Sequence, residues 1–255
     1  MCILRLLRVS NLCERQTKAA FDLKLMVGWG NIKWCLTRVG SGCSILQFGI
    51  ELLSVTKVLI YDSTRLTEDV VSFLISTNKY ELVGYIPSSN PFIRGDLHRY
   101  LDELPLGYDD YDIALSIQYD KKIINLRACF NLHTGLLPTY AGCDTLYHAI
   151  KNGEREQGLT FHKIALGFDD GPIISKITFP IFPVDDVVSL YGTMLDIAPR
   201  FTETCIDMVR SIAPGQIDQC ASYRPNIYKR GMIAPEDKDT YLKFGQRLVE
   251  IYGRD

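Results

Sequence analysis

The chain has 255 residues, of which 47% are hydrophobic, and this length suffices for one large core or for one core with a small appendage. Lys and Arg number 28 against 30 Asp and Glu, so the net charge is −2, and this balance disfavours a nucleic-acid partner, which calls for a basic surface. The sequence holds no apolar run of the roughly 18 residues that a membrane-spanning helix needs, so we predict no membrane segment.

The first 28 residues mix leucines with arginines and lysines and lack the clean apolar stretch of a signal peptide. We predict an extension of uncertain structure over residues 1–28, although a basic amphipathic segment of this kind also allows a mitochondrial transit peptide. Eight cysteines are spread along the chain without a CxxC pair, so neither a zinc site nor a redox motif is expected. Reduced, buried thiols fit a cytoplasmic location, which we predict.

Strand-like and helix-like segments alternate in the next hundred residues. We predict strands at residues 32–39, 57–61, 81–86, 112–119 and 128–133, and helices at residues 45–53, 66–76 and 95–104. This alternation is typical of an α/β, Rossmann-like fold with a mostly parallel sheet and helices on both faces, whose functional site lies outside the carboxyl ends of the strands. The Gly40–Ser44 stretch is either a plain strand-to-helix turn or a phosphate cradle at a helix N-terminus.

The pattern changes in the second half of the chain. We predict a short helix at residues 144–151 and an antiparallel strand pair at residues 159–165 and 173–182. A long helix follows; Asp185 or Asp186 can cap it, and Pro199 should kink or break it. The remaining tail is polar and aromatic, with one helix at residues 239–251.

Three polar residues in this half form a candidate catalytic group. Asn131 and His133 are two apart at a strand end, so both side chains point to one face, and Asp169 follows in a loop flanked by Gly167 and Gly171. An amide and a protonated imidazole can stabilise a developing oxyanion, while a carboxylate can keep the imidazole protonated and relay a proton. Each of these features taken alone is more often structural. The other histidines are predicted to be structural: His162 packed or partly exposed on a strand, and His98 and His148 on helix surfaces.

The stretch Asn131–Gly142, NLHTGLLPTYAG, resembles the active-site segment of the 10-formyltetrahydrofolate-dependent formyltransferases. Residues 158–162 and 168–174 resemble the family's downstream segments, and the resemblance as a whole covers about residues 110–200. It implies the formyltransferase fold, with a catalytic domain at residues 29–215 and a tail at residues 216–255. It also implies catalytic roles for Asn131, His133 and Asp169, without a metal. The implied folate-binding residues are Ser116, Ile117, Gln118, Tyr119, Ala165, Leu166, Gly167 and Phe168, and the implied acceptor-binding residues are Thr134, Gly135, Leu136, Leu137, Pro138 and Tyr140.

The function that the resemblance implies is transfer of a formyl group from 10-formyltetrahydrofolate to a small-molecule amine. The family usually has Pro where this chain has Thr134, and such departures bear on the acceptor rather than on the chemistry. The tail segment Tyr223–Arg230 favours the amino group of a nucleotide-linked sugar, whereas the Gly40–Ser44 stretch would suit glycinamide ribonucleotide. Methionyl-tRNA as acceptor, a formyltetrahydrofolate hydrolase and a non-catalytic folate-pocket protein remain as alternatives. The sequence does not predict an oligomeric state.

Overall fold

A computed structural model describes residues 25–29, 32–37, 47–52, 55–89, 93–123, 127–212, 216–217, 223, 225–229 and 232–253. The chain divides into two compact units, Met1–Ser54 and Val55–Asp255. Every predicted site residue belongs to the second unit. The domain limits inferred from the sequence, at residues 28 and 215, stay predictions.

The described part of the first unit is an antiparallel sheet in the order β1 (Leu25–Trp29), β2 (Ile32–Thr37) and β3 (Gln47–Leu52). Strand β2 confirms a prediction, whereas the helix predicted at residues 45–53 is wrong. The segment QFGIEL alternates Phe48, Ile50 and Leu52 with non-apolar positions, which is the two-residue period of a strand. The Gly40–Ser44 stretch and residues 1–24 lie outside the described residues.

The second unit contains a six-stranded sheet in the order β10-β9-β7-β6-β4-β5. Its strands are β4 (Thr56–Tyr61), β5 (Tyr80–Ile86), β6 (Ile113–Ile117), β7 (Cys129–His133), β9 (Glu156–Lys163) and β10 (Ile173–Pro180). The four strands β4 to β7 pair in parallel, and β9 and β10 add an antiparallel edge. A short parallel pair joins β8 (Ala141–Gly142) to β11 (Ile227–Tyr228). The predicted mostly parallel α/β fold is confirmed.

Among the residues that the structure describes, four α-helices accompany this sheet: α1 (Arg65–Thr77), α2 (Thr145–Lys151), α3 (Val187–Ser211) and α4 (Lys238–Tyr252). The first of them buries Leu66, Val70 and Leu74, which are spaced at one turn and pack into the main core beside the sheet. The main core also takes in buried residues of α3 along most of its length. None of the described helices has the length and apolar content needed to cross a membrane.

The long helix α3 begins at a cap that the sequence predicts. The Asp186 side chain accepts from the backbone N–H groups of Val188 and Ser189, at 2.9 and 3.0 Å, and so satisfies two donors that the first helical turn leaves free. The helix runs without interruption past Pro199, so a break there is wrong. Proline removes one helical hydrogen bond, and the buried residues Ala198 and Phe201 on either side keep both halves in the core.

The predicted helix at residues 95–104 is also wrong, since only a 3₁₀ turn, Leu97–Arg99, forms there. Beyond this turn the chain is extended and pairs with β5. The N–H of Tyr85 donates to the Asp102 carbonyl at 3.0 Å, and the N–H of Leu104 donates to the Tyr85 carbonyl at 2.8 Å. These hydrogen bonds satisfy the free edge of the sheet, which a helix could not do.

Candidate active site

The sheet register places polar side chains in a row at the carboxyl ends of β6 and β7. Asn131 pairs with Ser116 of β6 on one side and with His162 of β9 on the other. Residues opposite each other on paired strands share a face, and His133 shares it too because it lies two positions from Asn131. Ser116, Asn131, His133 and His162 therefore face the same side of the sheet.

Asp169 reaches this row from the loop after β9. Its Oδ1 lies 3.3 Å from Asn131 Nδ2, 3.5 Å from His133 Nδ1 and 3.5 Å from His162 Nε2. Its Oδ2 accepts from the backbone N–H of Gly142 at 2.7 Å. The structure thus brings together Asn131, His133 and Asp169, the three residues singled out from the sequence, and adds His162 to them.

The Asp169 carboxylate is ionised at any ordinary pH. Burial alone would raise its pKa, but the nearby His133 and His162 and the Gly142 N–H together lower the pKa to about 2. A group of this kind is a fixed negative charge that can relay a proton between two neighbouring groups but does not keep it.

The His133 ring is 5% exposed. Its protonation state differs from the one that the sequence predicted. Burial lowers the pKa of His133, and this effect outweighs the neighbouring Asp169, which raises it. Its Nε2 lies 2.6 Å from the carbonyl oxygen of Tyr140. A carbonyl can only accept, so Nε2 carries the proton. We therefore assign a neutral imidazole near pH 7, rather than one that Asp169 keeps protonated.

His162 is a site residue that the sequence analysis assigned to packing. It is 2% exposed, its Nδ1 donates to the Lys163 carbonyl at 3.0 Å, and its Nε2 accepts from Asn131 Nδ2 at 3.1 Å. The first bond fixes the tautomer, and the second therefore fixes which way the Asn131 amide points. Only the register between β7 and β9 reveals this contact, because 31 residues separate the two side chains in the chain.

The sequence-based prediction for a second histidine, His148, is also wrong. This histidine lies outside the polar row. His148 is buried, not on a helix surface, and its ring stacks on Tyr228 with centroids 4.1 Å apart. Tyr228 comes from the tail, so the partner that covers His148 lies 80 positions further along the chain. His98 is exposed, as predicted.

A cavity of about 1120 Å³ opens beside this row of polar side chains. It is lined by Asn131, His133, Asp169 and all but one of the predicted folate-binding residues, namely Ser116, Gln118, Tyr119, Ala165, Leu166, Gly167 and Phe168. The exception, Ile117, is fully buried in the main core. The side chains of Leu166 and Phe168 are 77% and 69% exposed and offer apolar surface to a flat ligand.

Three of the six non-glycine residues with a positive φ, among the residues that the structure describes, line this cavity. Gln118, Asp144 and Asp169 all line it and have φ angles of 56°, 56° and 49°, in the left-handed region that residues with a side chain rarely adopt. Such conformations persist only where the surroundings impose them, and they cluster at functional sites.

The predicted acceptor-binding residues are placed differently from the folate-binding ones. Of the six, Thr134 lines the cavity. Leu136 and Leu137 donate their backbone N–H groups to Gln157 and Thr160 within the protein, and Tyr140 supplies the carbonyl that holds His133. Gly135 and Pro138 do not line the cavity either. The acceptor role of this segment stays a prediction.

Helix α4 supplies cavity-lining residues that the sequence analysis did not identify. Tyr241, Phe244, Gln246 and Glu250 all face the cavity, and the hydroxyl of Tyr241 donates to Asp144 Oδ1 at 2.8 Å. No spacing signal connects this helix with Asn131, because more than one hundred residues intervene. The part of the chain that the structure describes contains no group of three His, Cys, Asp or Glu residues suited to a metal ion.

The chain is similar in sequence to several formyltransferases. Residues 121–204 match the family model described as Formyl transferase. A methionyl-tRNA formyltransferase of a Nitratiruptor species is 33% identical over 111 residues, which are 43% of this chain and 37% of that protein. The bifunctional polymyxin resistance protein ArnA of Wigglesworthia glossinidia brevipalpis is 28% identical over 223 residues, which are 84% of this chain and 32% of that protein. The chain thus spans less than two thirds of the length of these curated relatives.

Solved structures resemble the chain in fold. The N-formyltransferase from Helicobacter canadensis, in complex with folinic acid and dTDP-3-aminofucose, has a TM-score of 0.57 at 22% identity, over 70% of this chain and 72% of that one. Glycinamide ribonucleotide transformylase 1 from Symbiobacterium toebii has a TM-score of 0.53 at 19% identity, over 69% of this chain and 97% of that one. At these identities the likeness concerns the fold alone.

Proposed function

We propose that this chain belongs to the formyltransferase family, whose model matches residues 121–204, and that it transfers a formyl group from 10-formyltetrahydrofolate to an amine at the site around Asn131, His133 and Asp169. The observation that carries the proposal is the convergence of amide, imidazole and ionised carboxylate within 3.5 Å at the edge of one cavity. Acyl transfer without a covalent enzyme intermediate requires these groups: donors for an oxyanion and a base for the amine proton.

In the proposed reaction the amine nitrogen attacks the formyl carbon, and the carbonyl electron pair moves onto oxygen. Asn131 Nδ2 donates to that oxyanion. Before the reaction both of its hydrogens have acceptors, since Nδ2 faces His162 Nε2 and Asp169 Oδ1. The weaker contact, at 3.3 Å to Asp169, is the one that the oxyanion replaces.

The ionised Asp169 relays the proton that the attacking amine loses: it takes the proton from the ammonium of the tetrahedral intermediate only in passing and does not keep it. The bond between the formyl carbon and the folate nitrogen then breaks, and the proton passes to that leaving nitrogen. His133, with its proton on Nε2, places an unprotonated Nδ1 beside this path and completes the wall of the site. Atoms and charge balance without a metal.

We assign the folate cosubstrate to the side of the cavity formed by Ser116, Gln118, Tyr119 and residues 165–168. Exposed Leu166 and Phe168 can cover the flat ring, and Gln118, with its φ of 56°, lines the same cavity. The solved N-formyltransferase of similar fold binds folinic acid, which has the same ring system.

For the acceptor we propose the amino group of a nucleotide-linked sugar. The similar structure from Helicobacter canadensis holds dTDP-3-aminofucose together with folinic acid. A nucleotide-linked sugar needs a pocket that extends beyond the folate subsite, and α4 extends the cavity in this way. A second candidate is methionyl-tRNA, which the 33% identity to a methionyl-tRNA formyltransferase favours and the net charge of −2 disfavours.

The test is to incubate the protein with 10-formyltetrahydrofolate, alone and with a panel of amino-sugar nucleotides, glycinamide ribonucleotide and methionyl-tRNA. We expect the release of tetrahydrofolate to depend on an amino-sugar nucleotide. Release without any amine would identify a hydrolase instead. Folate binding with no turnover on any acceptor would contradict the transferase proposal and leave a binding protein.

A further inference from the structure

The backbone at Asp169 must be held in place by its neighbours. Its φ of 49° puts a residue with a side chain in the left-handed region, which such residues adopt only where their surroundings enforce it. Two hydrogen bonds enforce it here. The Asp169 side chain accepts from the Gly142 N–H at 2.7 Å, and its backbone carbonyl accepts from the hydroxyl of Tyr223, also at 2.7 Å.

Both restraints trace back to one stretch of the tail, residues 223–228. Tyr223 binds the Asp169 loop directly. Strand β11 binds β8, which carries Gly142: the Ala141 N–H donates to the Asn226 carbonyl at 3.1 Å, and the Cys143 N–H donates to the Tyr228 carbonyl at 2.8 Å. The fit at β8 is close, because a Cβ on Gly142 would collide with the carbonyl oxygen of Tyr228.

We infer that Tyr223 is a positioning residue for Asp169, and that its hydroxyl keeps the carboxylate against Asn131 and His133. This inference rests on the proposed function, in which Asp169 relays the amine proton. Without the hydroxyl, the strained residue has one restraint fewer and its carboxylate is less well placed for proton transfer. The tail thereby becomes part of the active site although its tyrosine touches no reacting atom.

The plain alternative is that Tyr223 only anchors the tail. The two readings differ in one respect: a positioning residue acts through Asp169, so its removal has no further effect once the Asp169 charge is gone. An anchor acts on the fold, and its removal has the same effect whether or not residue 169 is charged.

The substitution Tyr223→Phe removes the hydroxyl and keeps the ring. We expect kcat to fall about tenfold, the equivalent of one well-placed hydrogen bond, with KM for the folate nearly unchanged. In the Asp169→Asn background the same substitution should cost nothing further. The matched control is Tyr252→Phe, which removes a tyrosine hydroxyl that also donates to a backbone carbonyl, that of Val188 at 3.3 Å, away from this site.

A second measurement does not require turnover. The groups facing His133 are the Asp169 carboxylate, the Tyr140 carbonyl and the His162 ring. The first two raise the pKa of His133 and the third lowers it, and only the Asp169 carboxylate is held by Tyr223. An NMR titration of the His133 ring should therefore show a lower pKa in Tyr223→Phe than in the wild type. The shift should be absent for Tyr252→Phe and absent when Tyr223→Phe is made in Asp169→Asn.

The possible results distinguish a failure of the positioning role from a failure of the proposed function. Unchanged turnover and titration in Tyr223→Phe, or equal losses with and without the Asp169 charge, would overturn the positioning role. So would loss of the folded state in Tyr223→Phe, seen in a thermal melt, because the hydroxyl would then support the whole fold. If the wild type transfers no formyl group to any acceptor, the proposed function fails, and the titration still decides whether Tyr223 positions Asp169.

Discussion

At the scale of single residues, Asn131 occupies the centre of the site. Its side-chain amide nitrogen lies within hydrogen-bond distance of both His162 and Asp169. His162, which the sequence assigned to packing, sets the direction of that amide. The proposed chemistry therefore depends on a pair of residues from two antiparallel strands, joined by a 3.1 Å contact.

Replacing Asn131 by Ala should lower kcat by roughly a hundred- to a thousandfold, the usual effect of losing one oxyanion donor. Affinity for the folate should stay almost unchanged, because the oxyanion exists only in the transition state. Steady-state kinetics together with folate titration of the variant checks both parts. A loss confined to folate affinity would assign Asn131 to ground-state binding.

Asp169→Asn keeps the shape of the side chain and removes its charge, so turnover should fall sharply. The acid limb of the pH–rate profile should also move. Asp169 raises the pKa of His133, so its neutralisation lowers that pKa further, and the imidazole stays neutral to a lower pH. We expect the acid limb, measured as kcat against pH, to shift to lower pH.

The control is Asp170→Asn, which removes the same charge one position along the loop. Asp170 makes none of the contacts that join Asp169 to Asn131, His133 and Gly142. Its substitution should cost little turnover. An inactive Asp170→Asn beside an active Asp169→Asn would show that the catalytic carboxylate had been assigned to the wrong residue.

At the scale of elements, α3 shows how a local sequence signal and a tertiary contact combine. Asp186 caps the helix, and its second carboxylate oxygen also receives Arg247 of α4 at 2.5 Å. The cap belongs to the sequence, whereas the ion pair exists because α3 and α4 are packed together. The ion pair is half exposed, so the cap is expected to provide most of the stabilisation.

Asp186→Ala should lower the free energy of unfolding by about 1 kcal/mol, which is the usual effect of losing an N-cap. Asp186→Asn is the matched control, since Asn caps a helix as well as Asp does but carries no charge for Arg247. Urea denaturation of the two variants separates the cap from the ion pair. Equal losses in both variants would mean that the charge, and not the cap, stabilises this helix.

At the scale of the whole molecule, the negative charge of Asp169 contributes to the pH dependence of stability. The folded-state pKa of Asp169, at about 2, lies below the usual 3.8, so the unfolded chain binds more protons between these values. The resulting stabilisation, about 2 kcal/mol, is fully present above pH 3.8 and is lost as the pH falls towards 2. This stabilisation belongs to the Asp169 carboxylate alone, because the lowered pKa of His133 disfavours the folded state as the pH falls below 6.5.

The measurement is the free energy of unfolding of wild type and Asp169→Asn between about pH 2 and 7, a range that spans the loss of this stabilisation. We expect the wild type to lose stability faster as the pH falls, and the gap between the two proteins to narrow below about pH 4. A gap that stays constant across this range would show that the Asp169 charge does not account for the difference. His133→Gln serves as a companion variant, because it removes one of the groups that lower the pKa of Asp169.

The sequence by itself determined the features that depend on local periodicity and local chemistry. The two-residue repeat of a strand put Asn131 and His133 on one face, the glycine-flanked loop marked Asp169, and Asp186 signalled the start of α3. The buried strand Thr56–Tyr61 and the helix after it followed from the same patterns. These features need only near neighbours in the chain, so a single sequence is enough to predict them.

Only the tertiary structure decided what depends on residues far apart in the chain. The register of β7 against β9 brought His162 to Asn131, and packing of the tail buried His148 under Tyr228 and attached Tyr223 to Asp169. Burial, and not the adjacent carboxylate, set the charge of His133. Strand pairing and desolvation are properties of the assembled fold, so no local pattern around these residues could have predicted them.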